Sequence, residues 1–314
     1  METRKIGSLE VTVVGLGGNN FGGRVDLEGT HAVVDAALDE GINFIDTADG
    51  YGGGKSEEFL GTVLGGRRRE VVLATKFGME VDRQRRGARP AYVRQACDAS
   101  LRRLRTTWID LYQLHQPDPE TPIADTLGAL DELVRAGKVR EIGCSNFSAQ
   151  QIREANAAVR PGAARFVSVQ NEFSLLHHEP EREVLPECEK LGLAFIPYFP
   201  LASGLLTGKY TGAGSAPAQS RLAEPTRFRE RFVNDRNVRI VKKLEEFAEL
   251  RGHTLLELAF CWLLAHPVVA SVIAGATKPA QVAANANAVE WTLTQDELAE
   301  VDRIAGHEDL ARAG

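Results

Sequence analysis

Asp46 in FIDTA, Lys76 closing VVLATK, His115 closing IDLYQLH and Tyr51 in the loop DTADGYGGGKSEE are four side chains able to donate, accept or steer a proton. A tyrosine hydroxyl, with a pKa of about 10, is a poor acid at neutral pH, but a cation within about 4–6 Å favours its ionised form. Lys76 is the obvious cation. A buried lysine tends to lose its proton unless a carboxylate stands beside it, and Asp46 supplies one. An Asp–Lys–Tyr chain of this kind is a tuned proton donor, and His115 can orient a substrate oxygen and assist proton transfer.

A proton donor aimed at a carbonyl oxygen needs a nucleophile for the carbon. No serine or cysteine elbow and no metal-ligand spacing accompanies these residues, so the expected metal content is none and the expected nucleophile is the hydride of a bound cofactor. Other run ends suit such a cofactor. Ser145, Asn146 and Gln170 offer hydroxyl and amide groups that match a nicotinamide carboxamide, and Tyr198 offers a flat ring to stack on it. Gly204 and Gly208 in PLASGLLTGKY let the backbone approach a pyrophosphate. Taken singly, each of the first four has a plain structural reading: a strand cap for Asp46, a solvated chain end for Lys76, a satisfied buried ring for His115, a loop anchor for Tyr51. Their convergence is what favours chemistry.

Positioning them requires that the ends of separate runs meet. Eight short apolar, β-branched runs predict strands: Val11–Gly15, Phe44–Thr47, Val71–Lys76, Ile109–His115, Val139–Ser145, Phe166–Gln170, Phe195–Tyr198 and Ser271–Gly275. Amphipathic segments between them predict helices over Thr30–Glu40, Glu57–Leu64, Ala91–Leu104, Ile123–Ala136, Ala149–Val159, Glu181–Leu191, Asn237–Leu264 (broken near Gly252) and Gln281–Val289. Strand then helix, repeated, reads as parallel strands with right-handed crossovers. The expected architecture is an α/β, single-domain (β/α)8 TIM barrel over residues 1–314, whose strands' C-terminal ends form one mouth. A doubly wound sheet is the runner-up, but Gly15-Leu16-Gly17-Gly18-Asn19-Asn20 lacks the third glycine of a dinucleotide fingerprint. Thr211–Arg236 reads as a long irregular stretch, either a lid or a mobile insertion.

With 37 basic and 43 acidic residues the net charge is −6, which argues against nucleic acid or an anionic membrane as partner. Hydrophobic residues make up 43% of the 314, enough for a large core without staples. Cys97, Cys144, Cys188 and Cys261 are widely spaced and read as free thiols, and no apolar run has signal or membrane-span length, so a cytoplasmic protein is expected. Trp108, Trp262 and Trp291 read as packing residues, and the runs Arg67-Arg68-Arg69 and Arg83-Gln84-Arg85-Arg86 as solvated loops.

The blocks DTADGYGGGKSEEFLG, ATKFG, DLYQLHQPD, GCSNFS, VQNEFSLL, PYFPLASGLLTGKY and SVIAGATKPAQVAANANAVEW resemble, in order and along nearly the whole chain, those of the aldo-keto reductase superfamily. The resemblance implies a (β/α)8 barrel, an extended NAD(P)H and reduction of aldehydes or ketones. It places Asp46, Tyr51, Lys76 and His115 in a catalytic tetrad with Tyr51 as the acid, and Asp46 also beside the cofactor. Ser145, Asn146 and Gln170 match carboxamide ligands and Tyr198 the stacking ring. Leu201, Ser203, Gly204 and Leu205 match the pyrophosphate loop, and Gly275, Thr277, Gln281 and Asn285 the adenosine end. Asn20, Phe21, Phe77 and Met79, with Tyr51 and His115, are expected to line the substrate pocket.

Two positions depart from the resemblance. Family members that clamp a 2′-phosphate often carry a basic residue where Gln281 stands. Lys278 is the nearby cation, which favours NADP(H), with NAD(H) as the alternative. Phe199 replaces a frequent serine after the stacking tyrosine. The expected partner is a small carbonyl substrate, with no nucleic acid or membrane. The rival reading is an NADPH-occupied regulatory barrel like the potassium-channel β subunits. A third is a barrel isomerase or lyase using Lys76 and His115.

Overall fold

The computed structural model describes residues 1–82, 85–209 and 227–306. The chain enters as an antiparallel hairpin, β1 (Thr3–Ile6) and β2 (Leu9–Thr12). Eight further strands follow: β3 (Val14–Gly17), β4 (Phe44–Asp46), β5 (Val72–Phe77), β6 (Ile109–Leu114), β7 (Val139–Ser145), β8 (Phe166–Glu172), β9 (Ala194–Tyr198) and β10 (Val272–Gly275). Every neighbouring pair in the order β10-β3-β4-β5-β6-β7-β8-β9 is parallel. Phe195 of β9 closes the ring, its N–H donating to Val268 O at 2.8 Å and its carbonyl accepting from Ala270 N at 2.9 Å, just ahead of β10.

Helices cross between successive strands: α1 (Leu27–Asp39), α2 (Lys55–Leu64), α3 (Pro90–Arg103), α4 (Ile123–Arg135), α5 (Ala149–Ala157) and α6 (Pro180–Leu191). After β9 come α7 (Arg227–Phe232), α8 (Asp235–Glu249) and α9 (Leu255–Leu264). After β10 come α10 (Pro279–Ala286) and α11 (Gln295–Ala305). Side-chain oxygens close several N-termini, with full capping boxes at Ser148/Gln151, Thr254/Glu257 and Thr294/Glu297. The expected (β/α)8 barrel is the observed fold.

Two cores result from strand alternation. One lies between the strands and the helices. The other fills the barrel's N-terminal end, where Ile6, Leu9 and Val11 of the hairpin pack with Phe44, Leu111, Ile196 and Ile273. Thr12 N–H donates to Asn43 Oδ1 at 2.8 Å, seating the hairpin against the start of β4. This plug corrects the first expected strand: Val11–Gly15 straddles two elements, because the apolar run VTVVG continues across the turn at Val13. The barrel strand starts at Val14.

The break expected in Asn237–Leu264 is observed, two helices parting at Gly252, whose φ is +78°. Of the stretch Thr211–Arg236, residues 211–226 lie outside the described residues, while α7 and the start of α8 occupy the rest. α11 was not foreseen, because only Val301 and Ala305 of it are buried and its apolar stripe is thin. Arg83 and Gln84 lie outside the described residues, and Arg85 and Arg86 pair with Asp82 and Glu80.

Arg68 is not a solvated loop residue. It is buried, pairs with Asp110 at 2.7 Å, donates to the carbonyls of Val71 and Trp108, and lies 4.5 Å over the Trp108 ring. Asp110 also accepts from Leu73 N at 3.0 Å, so this ion pair locks β5 to β6 at their N-terminal ends. Trp262 is fully buried, and Trp291 stacks on His253 at 4.1 Å. All four cysteines are free and buried. No helix among the described residues is long and apolar enough to cross a membrane.

Removing one member of a buried, hydrogen-bonded ion pair leaves the other charge uncompensated. Arg68→Ala is therefore expected to cost about 3 kcal/mol in urea unfolding, and a loss below about 0.5 kcal/mol would show the pair to be dispensable.

Candidate active site

Lys76 points into the barrel from β5 with no exposure to water. Its ammonium donates to Asp46 Oδ2 and, at 2.9 Å, to the Thr47 carbonyl. The other Asp46 oxygen accepts from Gln113 Nε2 at 3.1 Å and Gln170 Nε2 at 3.0 Å. A buried carboxylate is thus met by three side-chain donors and one full positive charge, which is what its desolvation demands. Burial alone would strip the lysine of its proton, but Asp46 and Tyr51 outweigh it and the ammonium sits above its ordinary range.

Tyr51 reaches the same place from the loop between β4 and α2. Gly52, Gly53 and Gly54 follow it with φ of +60°, +68° and +97°, a run of left-handed backbone that folds the loop back over the mouth. Lys76 Nζ lies 5.3 Å from the centre of the Tyr51 ring, and the ammonium engages the phenol oxygen. His115 stands edge-on to Tyr51 with ring centres 5.8 Å apart.

His115 is 8% exposed, and its Nδ1 is buried without a partner. Burial, reinforced by the charge of Lys76, pushes its pKa down to about 3. The ring is therefore neutral at physiological pH: a dipole that can orient an oxygen, not an imidazolium able to deliver a proton. This refines the expectation that it assists proton transfer.

Around this centre the ends of β7, β8 and β9 are tied together. Ser145 Oγ donates to the Gln170 carbonyl at 2.7 Å, Asn146 Nδ2 to the His115 carbonyl at 2.8 Å, and Tyr198 Oη to Asn146 Oδ1 at 2.7 Å. Burial and the nearby Glu172 carboxylate raise the Tyr198 phenol to about 12. Glu172 itself is held by Arg231 of α7 at 2.6 Å, and Phe199 meets Phe232 edge-on. Among the described residues, five non-glycines have positive φ, and four of them, Asn146, Phe199, Ala202 and Ser203, lie in the two loops after β7 and β9. Backbone strain is concentrated where a ligand would meet main-chain atoms.

The turn Leu201–Gly208 follows β9 directly, with Gly204 in the left-handed region, Leu205 buried and Ser203 Oγ buried without a partner. After β10, the neighbour of β9 across the ring closure, Asn285 is buried in α10 and Lys278 is exposed at its N-cap. Gln281 Oε1 turns back to accept from Thr277 N at 2.7 Å. Asn20 donates to the Ala276 carbonyl, and a Cβ at Gly275 would lie 3.0 Å from its amide, so β3 and β10 meet closely here.

Of the residues expected to line a substrate pocket, Phe21 and Phe77 have no exposed surface. Phe77 follows Lys76, so alternation turns it outward, where it stacks on Tyr112 at 4.7 Å. Met79 is 42% exposed beyond the strand. The sequence reading missed Gln113, although it stands two residues before His115 and therefore on the same inward face. It also missed Glu57, buried in α2 behind the Tyr51 loop.

The profile of the Aldo/keto reductase family matches residues 13–305. The chain is 35% identical to the aldo-keto reductase YhdN of Bacillus subtilis over 306 residues, 94% of this chain and 90% of that one. It is 34% identical to a probable voltage-gated potassium channel subunit beta of Arabidopsis thaliana over 301 residues, 92% of each. The structure superposes on the holo form of aldo-keto reductase AKR11C1 from Bacillus halodurans with a TM-score of 0.81 at 33% identity, covering 97% of this chain and 96% of that one. The chain belongs to the aldo/keto reductase family, a family of oxidoreductases.

The neutrality of His115 has a direct readout. Its ring proton shift, followed by NMR, is expected to stay flat from about pH 5 to 9, whereas a titration centred on about 6.5 would contradict the burial argument. Because the unfolded chain takes up this proton first, His115 makes folding less favourable as pH falls from 6.5 to about 3.

Proposed function

We propose that this member of the aldo/keto reductase family is a cytoplasmic, one-domain carbonyl reductase that uses NADP(H) in preference to NAD(H), with Asp46, Tyr51, Lys76 and His115 as its catalytic residues. The observation that carries the reading is a buried ammonium, paired with Asp46, in contact with a tyrosine at the mouth of the barrel.

Several features fit a nicotinamide dinucleotide. Ser203 Oγ is a buried hydroxyl awaiting a partner, in a turn whose left-handed backbone at Gly204 would let a pyrophosphate approach closely. Lys209 follows that turn, and its pKa is lowered by burial and by the charge of Arg24, so two cations gather at this rim. Ser145, Asn146 and Gln170 would hold the carboxamide and Tyr198 would stack on the ring. Leu201, Gly204 and Leu205 would line the pyrophosphate, and Gly275, Thr277, Gln281 and Asn285 the adenosine. Lys278, exposed at the start of α10, is the cation placed to meet a 2′-phosphate and the reason NADP(H) is favoured.

When bound, the nicotinamide supplies a hydride to the carbonyl carbon. Tyr51 donates its phenol proton to the carbonyl oxygen as that oxygen gains charge, and Lys76 stabilises the phenolate left behind. Asp46 keeps Lys76 charged although its side chain is buried from bulk solvent. His115, as a neutral ring, aligns the carbonyl oxygen toward Tyr51. The phenolate then recovers a proton from solvent at the open mouth.

The likeness to the channel β subunit supports a second reading, an NADPH-occupied regulatory barrel. The two separate on one measurement: NADPH oxidation over a panel of small aldehydes, ketones and sugars. Turnover supports the enzyme, and tight NADPH binding without turnover supports the regulator.

Tyr51→Phe is expected to lower kcat by at least about a thousandfold while leaving NADPH affinity, read by fluorescence titration, nearly unchanged. Lys76→Met should be similarly damaging. Wild-type turnover in Tyr51→Phe would remove Tyr51 from the role of acid.

A further inference from the structure

Two acidic side chains behind the Tyr51 loop take no part in the chemistry above: Asp49, 8% exposed, and Glu57, fully buried. Glu57 stands in the first turn of α2 with its two oxygens bound in different directions. Oε1 accepts from Thr75 Oγ1 at 2.6 Å, and Oε2 accepts from Arg103 Nε at 2.6 Å. Thr75 precedes Lys76 in β5, so alternation sends its side chain outward to the helices while Lys76 points to the barrel axis.

Arg103 ends α3 and lies under the Tyr51 loop. A Cβ at Gly54 would be 3.2 Å from Arg103 Cδ, and one at Gly61 would be 2.4 Å from the Arg103 carbonyl oxygen, so α2 and the loop rest directly on this residue. The loop's backbone also returns to β5, Asp49 N–H donating to the Lys76 carbonyl at 3.1 Å. One buried carboxylate thus joins the outer side of the lysine's strand to the arginine that supports the tyrosine's loop.

We propose that Glu57 is a positioning residue for the Tyr51–Lys76 pair, holding the loop that carries the phenol against the strand that carries the ammonium through Thr75 and Arg103. This rests on the reading of Tyr51 as proton donor. The coupling of ammonium and phenol falls with their separation, and reacting groups misplaced by about 1 Å can lose about a hundredfold in rate.

The neighbourhood shows what this carboxylate costs. Asp49 Oδ1 is buried without a partner, and burial together with the Glu57 charge pushes the Asp49 carboxyl up to about 7, while Arg103 and Arg85 pull it down. The Tyr112 phenol, raised chiefly by burial, also feels Asp49 and Glu57, and the Tyr92 phenol is raised by burial and by Asp49. An uncharged residue at position 57 would relieve Asp49 and Tyr112, yet it would release Arg103.

Glu57→Gln keeps the side-chain volume and an acceptor for Thr75 but loses the charge that holds Arg103. Thr75→Val keeps the shape of threonine and deletes the hydroxyl, and Thr75→Ser restores it. On the full chain, three quantities separate positioning from simple stability. They are kcat for NADPH-driven reduction of the aldehyde panel, the Kd for NADPH, and the midpoint of Tyr51 ionisation, read as ultraviolet difference absorbance against the same variant carrying Tyr51→Phe.

For Glu57→Gln, kcat should fall about tenfold or more, Kd should stay within about twofold, and the Tyr51 midpoint should rise as the cation draws away. Thr75→Val should show the same pattern more weakly, and Thr75→Ser should behave as wild type. A lowered Tm with kcat and the Tyr51 midpoint both unchanged overturns the proposal. Should Glu57→Gln fail to fold, the Thr75 pair decides on the same readouts. A wild type without turnover defeats the reductase reading alone, since the Tyr51 midpoint still decides the positioning.

Discussion

A lysine ammonium buried from bulk solvent is the constraint from which the rest of the barrel mouth follows. Burying an isolated charge of this kind costs far more than a domain's whole margin of stability, so every group around it must compensate. Asp46 answers with a full negative charge, the Thr47 carbonyl adds a lone pair, and Gln113 and Gln170 occupy the carboxylate oxygen that Lys76 leaves free. These contacts come from β4, β5, β6 and β8, so the network also fixes how those strands sit relative to one another. The same charge suppresses protonation of His115 and sits against the Tyr51 ring.

The two ends of the barrel are built to different ends. At the N-terminal end the interior is apolar and plugged by the hairpin, and the Arg68–Asp110 pair ties β5 to β6 from outside. At the C-terminal end left-handed non-glycine residues gather in the loops after β7 and β9. Stability is secured at one face, and backbone strain is tolerated at the other. That division is expected where one scaffold must both stay folded and present reactive groups.

Much of this was legible from the residue order. Parallel strands covered on both faces read as continuous apolar runs, and a barrel requires their C-terminal ends to converge, so Asp46, Lys76 and His115 could be placed at one mouth before any coordinates. The misses share a cause. Arg68 looked like one member of a basic loop because local sequence carries no sign of Asp110, 42 positions later. Phe77 was a pocket-wall candidate from the family resemblance, yet its place next to Lys76 in the strand turns it to the other face. Gln113 and Glu57 drew no notice because amide and carboxylate side chains acquire a role only through partners distant in the chain.

The sequence by itself determined the period of the strands and helices, the family to which the chain belongs and the kinds of chemical group that reach the mouth, since each of these is written in local pattern and composition. Tertiary structure alone decided which oxygen of Asp46 meets which donor, that His115 is neutral, that the hairpin closes the barrel floor and that Glu57 links Thr75 to Arg103. These depend on desolvation and on distances of about 3 Å between residues far apart in the chain, and only the folded packing sets either quantity.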